Sequence, residues 1–350
     1  MKIPDTMEKM DPQWFTYALQ HSYPNAVVTS VERLQVIHGA ATKIQVKLEY
    51  EGDKTDLPQT LWVKTGFEEH TPFMEEIGMH WAEELFYGTL APSLNIPSAK
   101  CYYHKLQPEL PNMALLLEDL CTRNARFGSA LRPLTFEEAA EGVKWLATLH
   151  STLWGPAARA ETRIKPTLTW GEGPIMDEAL QNAAPLFACT RGYAVPFALH
   201  DPARIYAAWT RYRENVVKGD VCLLHGDTHV GNCYVLPDGS VSFLDWQNVS
   251  IGHWSHDFSY FVVTALDAPV RRKHERALLA LYLDTLRKNG VSPPEQDEAW
   301  NSYRKGIIFG FFIWLVNPDQ FQPSAINTCC LARAGVAMID HDVLSLIEEG

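Results

Sequence analysis

At 350 residues, with 46% hydrophobic and 21% charged residues, the chain is long enough for one large domain or two ordinary ones, and is neither disordered nor fibrous. A formal net charge of −12 excludes broad contact with nucleic acid, which needs a basic stripe; the densest basic run is only Arg271-Arg272-Lys273. Acidity of this order reflects solubility and does not by itself select a substrate.

The N-terminal MKIPDTMEKMDPQW lacks the apolar stretch of a secretory leader, and the first 30 residues show no pattern that assigns an element. VERLQVIHG (31–39) predicts a strand, Gly39-Ala40-Ala41-Thr42 a turn, and KIQVKLEY (43–50) a half-buried strand with Ile44, Val46, Leu48 and Tyr50 on one face. Glu51-Gly52-Asp53-Lys54 reads as a turn and LPQTLWVKTG (57–66) as a third strand. Residues 72–90 predict one helix with Ile77, Trp81, Leu85 and Phe86 as its apolar stripe, closed by Ala91-Pro92. Strand signals follow at 96–104 and 113–118. The character then changes. Residues 135–154 predict a helix opened by a Thr135/Glu138 capping box, with His150 on its apolar face as a core histidine. Residues 155–202 form a poorly patterned insertion. Helices are expected at 202–218, 271–289 (stopped by Asn289-Gly290), 297–316 and 325–348. The apolar run IIFGFFIWLV (307–316) is too short to cross a bilayer and suits a buried helix. Seven cysteines at irregular spacings, with no C-x-x-C pair, read as reduced thiols of a soluble, cytoplasmic protein.

The chemistry concentrates in LLHGDTHVGNCYVLPDGSVSFLDWQ (223–247). Leu236-Pro237-Asp238-Gly239-Ser240 is a turn pattern between the apolar runs CYVL and VSFL. A two-residue turn would put Asn232 opposite Asp245, and a three-residue Pro-Asp-Gly loop would shift the pairing by one. Either way an amide oxygen and a carboxylate end side by side, able to share a hard cation such as Mg²⁺. Asp227, five residues before Asn232, lies on the loop leading in. His225-Gly226-Asp227 through Asn232 has the Asp-to-Asn spacing of the protein-kinase catalytic loop. A rival binuclear metallohydrolase needs further Asp/His clusters on other strands, and neither an early D-x-H nor a G-N-H is present. His225 is expected to buttress its loop through hydrogen bonds, and a buried Asp257 to need backbone donors. His229 acquires no role; a solvated and a substrate-facing side chain are both open.

These residues resemble the aminoglycoside phosphotransferase and choline kinase-like clan, and within it the ecdysteroid-kinase-like (CHK kinase-like) small-molecule kinases. The resemblance spans about residues 30 to 340 and is carried by LLHGDTHVGNCYV with FLDWQNVSIGHWSHDFSYF, and more weakly by LLLEDL (115–120), WLATLHSTLW (145–154) and EELFYGTLAP (83–92). It implies an α+β, two-lobed, protein-kinase-like fold. Residues 1–118 would form a small β-rich nucleotide-binding lobe and 119–350 a larger, mainly helical catalytic and substrate-binding lobe. It makes Asp227 the catalytic base or hydroxyl-orienting group, and Asn232 and Asp245 the Mg²⁺ ligands. Lys64 would reach the nucleotide phosphates and pair with Glu83 or its neighbour Glu84. Gly39 to Thr42 matches the loop over the phosphates, although it lacks G-x-G-x-x-G. Glu118 to Leu120 matches the hinge whose backbone bonds a purine. The ordinary readings are a solvated strand lysine at 64 and a solvated helix face for Glu75, Glu76, Glu83 and Glu84.

The implied reaction moves the γ-phosphate of ATP, with GTP as the alternative nucleotide, to a hydroxyl of a small molecule. No long activation loop or A-P-E segment follows Asp245, which disfavours a protein acceptor. The aromatic set Trp246, Trp254, Trp300, Tyr303, Phe309, Phe312 and Trp314 is more readily core than pocket; if it lines the site, it favours a bulky apolar alcohol or a choline-like cation. The alternatives are an antibiotic-modifying (aminoglycoside or macrolide) kinase and a non-catalytic pseudokinase. No nucleic-acid or membrane partner is expected, and the oligomeric state is left open.

Overall fold

Period-two alternation builds the N-terminal sheet. Strands β1 (Val28–Ile37), β2 (Thr42–Tyr50), β3 (Thr60–Thr65), β4 (Cys101–Leu106) and β5 (Met113–Glu118) pair antiparallel in the order β1-β2-β3-β5-β4. The computed structural model describes residues 1–52, 56–94, 96–107, 109, 113–165, 183–216 and 219–349, in two units, Met1–Ala125 and Arg126–Gly350. Asp53 and Lys54 of the expected turn lie outside the described residues. In the first unit Ile44, Val63 and Leu116 stand in register on one face of the sheet, and Lys43, Lys64 and Leu115 on the other. The apolar face is covered by α1 (Pro12–Leu19), which buries Trp14, Phe15, Ala18 and Leu19. Asp11 caps this helix by accepting the Trp14 amide, and Pro12 fills its first turn, where a missing N–H costs nothing.

The single helix expected over 72–90 is broken. It forms α2 (Thr71–Glu76) and α3 (Met79–Leu85), then a π-helical turn Phe86–Leu90, and continues through Ala91–Leu94 past the expected stop. Gly78 separates α2 from α3 in the left-handed region at φ 85°. The break turns α3 so that His80, Ala82, Glu83 and Leu85 are buried, while Ile77 and Trp81 are only half-buried. Glu83 is therefore not part of a solvated face. β4 begins later than the 96–104 signal; Pro97 has no amide hydrogen for a ladder.

In the second unit α4 (Phe136–Thr152) carries the expected capping box, the Glu138 amide on Thr135 Oγ1 and the Thr135 amide on Glu138 Oε2. The insertion holds short helices at Pro156–Ala160, Ala184–Phe187 and Thr190–Tyr193; its residues 166–182 lie outside the described residues. After α5 (Pro202–Val216) come β7 (Val221–Leu224), which pairs with β10 (Ser250–His253), and the hairpin β8 (Cys233–Val235) and β9 (Val241–Phe243), flanked by β6 (Arg126–Phe127). Helix α6 (Ser255–Ala265) is buried on every side. It is enclosed by α7 (Ala268–Lys288), α8 (Gln296–Val316) and α9 (Ser324–Asp340). The last expected helix divides into α9 and α10 (Val343–Glu349) at Asp342, whose φ is 45°. A buried ion network joins α7, α8 and the turn before α10. Glu275 accepts from Arg271 at 2.6 Å and from Tyr303 Oη at 2.7 Å, and His341 Nε2 lies 3.1 Å away. The apolar run 307–316 lies in the buried α8, and no helix among the described residues is long and apolar enough to cross a membrane. All seven cysteines are free thiols.

Candidate active site

In the first unit Lys64 Nζ lies 2.6 Å from Glu83 Oε2, with side chains only 4% and 1% exposed. Such a buried pair is held by mutual need, because removing one partner strands the other charge. Glu84 instead accepts from His104 at 2.8 Å, so Glu83 is the partner of Lys64. The Gly39–Thr42 turn is tied to the segment after β3. Thr42 Oγ1 donates to Glu68 at 2.6 Å and accepts the Phe67 amide, and the Gly39 carbonyl accepts from His70 Nε2 at 2.8 Å. At the end of β5 the Glu118 amide bonds Lys100 O, and Asp119 accepts from Cys121 N and from Gln45 Nε2, fixing the turn that starts at Leu120.

In the second unit the loop 225–232 links β7 to β8 and is held from below by Asp257, on the first turn of α6. Asp257 Oδ2 accepts the His225 amide at 2.7 Å and Oδ1 the Gly226 amide at 2.9 Å, and its carbonyl accepts Thr228 Oγ1 at 2.8 Å. His150, fully buried, lies 3.2 Å from the same carboxylate and bonds Tyr282 Oη at 2.7 Å, so it is a satisfied core histidine. Burial pushes the Asp257 carboxyl up, but His150, with the positive potential of His256 and His225, holds it below the ordinary carboxylate range. His256 donates to the Gly226 carbonyl, and burial lowers its affinity for a second proton. Gly226 is required here: its φ is +84°, and a Cβ would stand 2.0 Å from Asn248 O. His225 Nδ1 accepts the Asp227 amide and Nε2 donates to Leu244 O, so this ring ties the loop to the hairpin as expected.

The hairpin takes the three-residue option. Pairing of Cys233 with Phe243 and Val235 with Val241 leaves Pro237-Asp238-Gly239 as the loop, with Gly239 at φ +85°. Asn232 therefore faces Leu244, whose amide it accepts at 2.8 Å, and Asp245 follows one step on. Asp245 adopts φ 69°, a left-handed conformation costly for a residue with a Cβ and found where a site over-determines its backbone. Asn232 Nδ2 donates to both the carbonyl and Oδ2 of Asp227, each at 2.9 Å. Its amide oxygen, the atom that ligates a hard cation, is thereby turned away from Asp227. Burial first, and the nearby Asp245 charge second among the raising influences, lift the Asp227 carboxyl above its ordinary value, against the pull of His229 and Asn232. Among the described residues no three His, Cys, Asp or Glu side chains form a closed metal cage. One amide oxygen and one carboxylate are a donor set that fits Mg²⁺, which keeps several waters and takes phosphate oxygens.

The structure thus brings Asp227, Asn232 and Asp245 together on one loop-hairpin, and Lys64 with Glu83 in the sheet unit. The aromatic set is mostly core: Trp254, Tyr303, Phe309, Phe312 and Trp314 belong to the apolar interior of the second unit, Trp300 packs against it half-buried, and Trp246 is fully buried beside His225. Of the two readings open for His229, the solvated one does not hold: its ring is nearly buried beside Trp314. The nearest sequence signal was its position two residues after Asp227.

Solved structures share this fold at low identity. Spectinomycin phosphotransferase APH(9)-Ia, in complex with ADP and spectinomycin, is 14% identical over 96% of this chain and 97% of its own, with a TM-score of 0.53. The choline kinase of Cryptosporidium parvum Iowa II is 12% identical over 92% of this chain and 90% of its own, with a TM-score of 0.51. Choline kinase LicA from Streptococcus pneumoniae is 15% identical over 89% of this chain and 94% of its own, with a TM-score of 0.50. The chain has the two-lobed, protein-kinase-like α+β fold, with an antiparallel-sheet N-terminal lobe and a mainly helical C-terminal lobe. None of the curated proteins matches it. The ecdysteroid kinase-like family does match, over residues 38–290, a span that contains β2 to β5, Lys64, Glu83, the 225–232 loop and the hairpin. The chain therefore belongs to the ecdysteroid kinase-like family.

Proposed function

We propose that this small-molecule kinase-like protein is an ATP-dependent phosphotransferase acting on a hydroxyl of a small molecule. The observation that carries this reading is the Asp227–Asn232 pair. One hydrogen-bonded unit presents a carboxylate and, beside it, an amide oxygen, next to an Asp245 kept in a left-handed backbone. In phosphoryl transfer the protein contributes mainly position and charge. Asp227 would take the acceptor's hydroxyl proton; its raised proton affinity suits a base more than an ordinary carboxylate. Asn232 Oδ1 and Asp245 would hold Mg²⁺. Bound there, the ion would neutralise charge on the nucleotide phosphates.

In the same reading residues 1–118 bind nucleotide and 119–350 bind and phosphorylate the acceptor. Lys64, steered by Glu83, would meet the phosphates, the Gly39–Thr42 turn would lie over them, and the backbone of Glu118 to Leu120 would bond the purine. The relatives solved with ADP or AMP support a nucleotide site; ATP is the expected donor, with GTP as the alternative. Their named acceptors, choline and spectinomycin, are small hydroxyl compounds. The aromatic set is core and does not select the acceptor; a bulky apolar alcohol is the first class to test, with an aminoglycoside or macrolide antibiotic as the alternative. Free thiols support a cytoplasmic setting.

The test is ADP release from Mg-ATP with a panel of sterols, aminoglycosides, macrolides, choline and sugars. Turnover with an apolar alcohol supports the reading, turnover with an antibiotic replaces the acceptor class, and nucleotide binding without any turnover makes the protein a pseudokinase.

A further inference from the structure

Helix α5, strand β10 and helix α8 line a cleft of about 190 Å³ in the second unit. That is less than the roughly 300–1,000 Å³ of a drug-sized site and far more than one water needs. Part of the lining is apolar, from the buried Val216 and Ile347. None of Asp227, Asn232 and Asp245 lines it, so the cleft stands apart from the phosphotransferase reading.

Its polar lining is rich in donors. His253 is only 8% exposed. Nδ1 accepts the Ser255 amide at 3.3 Å and lies 2.8 Å from Ser255 Oγ, so the neutral imidazole carries its hydrogen on Nε2. Burial, with the positive potential of His256 and His150, lowers its pKa to about 4, which keeps the ring neutral near pH 7. Among the described residues Nε2 has no hydrogen-bond partner, although the ring lines the cleft. A nearly buried N–H without an acceptor is costly. Gly219 stands at this edge of the ring: a Cβ there would lie 2.7 Å from Nε2 and 2.5 Å from Cδ2, so a side chain at 219 would cover the donor.

Two cations face the same space. Lys305, half-buried on α8, forms no ion pair among the described residues, and Arg211 on α5 commits only Nη1, to the Glu348 carbonyl. Glu298, the one acid in the described lining, is exposed and pairs with neither. Two cations against one acid make this a positive spot on a chain of formal net charge −12. The donors come from three separate elements. The three terminal oxygens of a phosphoryl group can meet donors from three directions, whereas the two coplanar oxygens of a carboxylate reach fewer.

We propose that this cleft binds a small phosphate-bearing anion through His253 Nε2–H, Lys305 and Arg211, with any carbon portion against Val216 and Ile347. Calorimetry on the full chain with inorganic phosphate, glycerol 3-phosphate and acetate tests it. The proteins compared are wild type, Lys305→Met, Gly219→Ala and the double variant Lys64→Met/Glu83→Leu, which changes the sheet unit alone. We expect both phosphates to bind wild type and the double variant alike. Lys305→Met should weaken them by about 10-fold or more, the loss of one charge-assisted hydrogen bond, and Gly219→Ala should abolish measurable binding. Urea melts check that each variant folds; where Gly219→Ala does not, Lys305→Met carries the test. Tighter binding of glycerol 3-phosphate assigns the site to an organic phosphomonoester, and equal affinity assigns it to free phosphate. No heat of binding from either phosphate, binding lost only in the double variant, acetate bound as tightly as phosphate, or full affinity kept by Lys305→Met would each overturn the proposal.

Discussion

Asp257→Asn is the most informative single change, because Asp257 touches no substrate in the reading above and yet holds the loop that does. Its two oxygens accept separate amides, from His225 at 2.7 Å and from Gly226 at 2.9 Å. An isosteric amide can satisfy only one of them and turns an N–H donor on the other. The loss is one charge-assisted hydrogen bond plus a buried donor left facing a donor, about 2–4 kcal/mol. With a urea slope of about 3 kcal/mol/M for a domain of this size, the unfolding midpoint falls by about 1 M. The effect should also depend on pH with a fixed sign. The folded carboxyl sits below its unfolded value near 3.9, so the wild-type advantage is complete above about pH 5 and shrinks as pH falls through the folded value. Urea melts of both proteins at pH 7 and across the acid range test this, and ADP release should fall with the loop. A midpoint shift below about 0.2 M, or an advantage that grows in acid, would refute the claim that this carboxylate braces the loop as an anion.

Asp227→Asn should keep nucleotide affinity in calorimetry while ADP release drops at least about 100-fold, the lower end for a lost general base. Asp245→Gly should separate strain from ligation: relief of the φ 69° backbone raises stability by about 1 kcal/mol in urea melts, while Mg-nucleotide affinity falls; unchanged affinity would remove Asp245 from the metal site. Glu83→Gln should cost about 3–5 kcal/mol by stranding the Lys64 charge, whereas the double change Lys64→Met/Glu83→Leu should cost less than the two single changes summed, measured as a double-mutant cycle.

The strands and capped helices were legible because their signals are local: alternation in 43–50, the Thr135/Glu138 box, the Asn289-Gly290 stop. The hairpin turn was legible as a turn, but its loop length, and so the offset of Asn232 from Asp245, awaited the register. What escaped depended on tertiary contact. An isolated Gly78 inside an amphipathic pattern is usually tolerated, and only its left-handed backbone shows that the helix ends there. From the helix pattern alone Glu83 reads as one of four solvated acids; only the family resemblance pointed to Glu83, with Glu84 open, and the buried ion pair joins Glu83 to Lys64. Helix α1 is short and lies in a stretch without periodic signal, although Asp11-Pro12 ahead of Trp14, Phe15, Ala18 and Leu19 was its trace. The need of Asp257 for backbone donors could be argued from burial alone, whereas the burial of His229 beside Trp314 is a tertiary contact with no sequence signature.

The span common to the family stops short of the helices that roof it. It begins after β1 and ends before α8, so α1 and β1 lie upstream of it, and α8, α9 and α10 lie downstream. A minimal fragment trimmed to 38–290 would leave Ile44, Val46 and Val63 bare on one sheet face and strip Tyr303, Ile307, Phe311 and Phe312 from around α6. Each unit therefore closes its core with helices that lie outside the span of the family match.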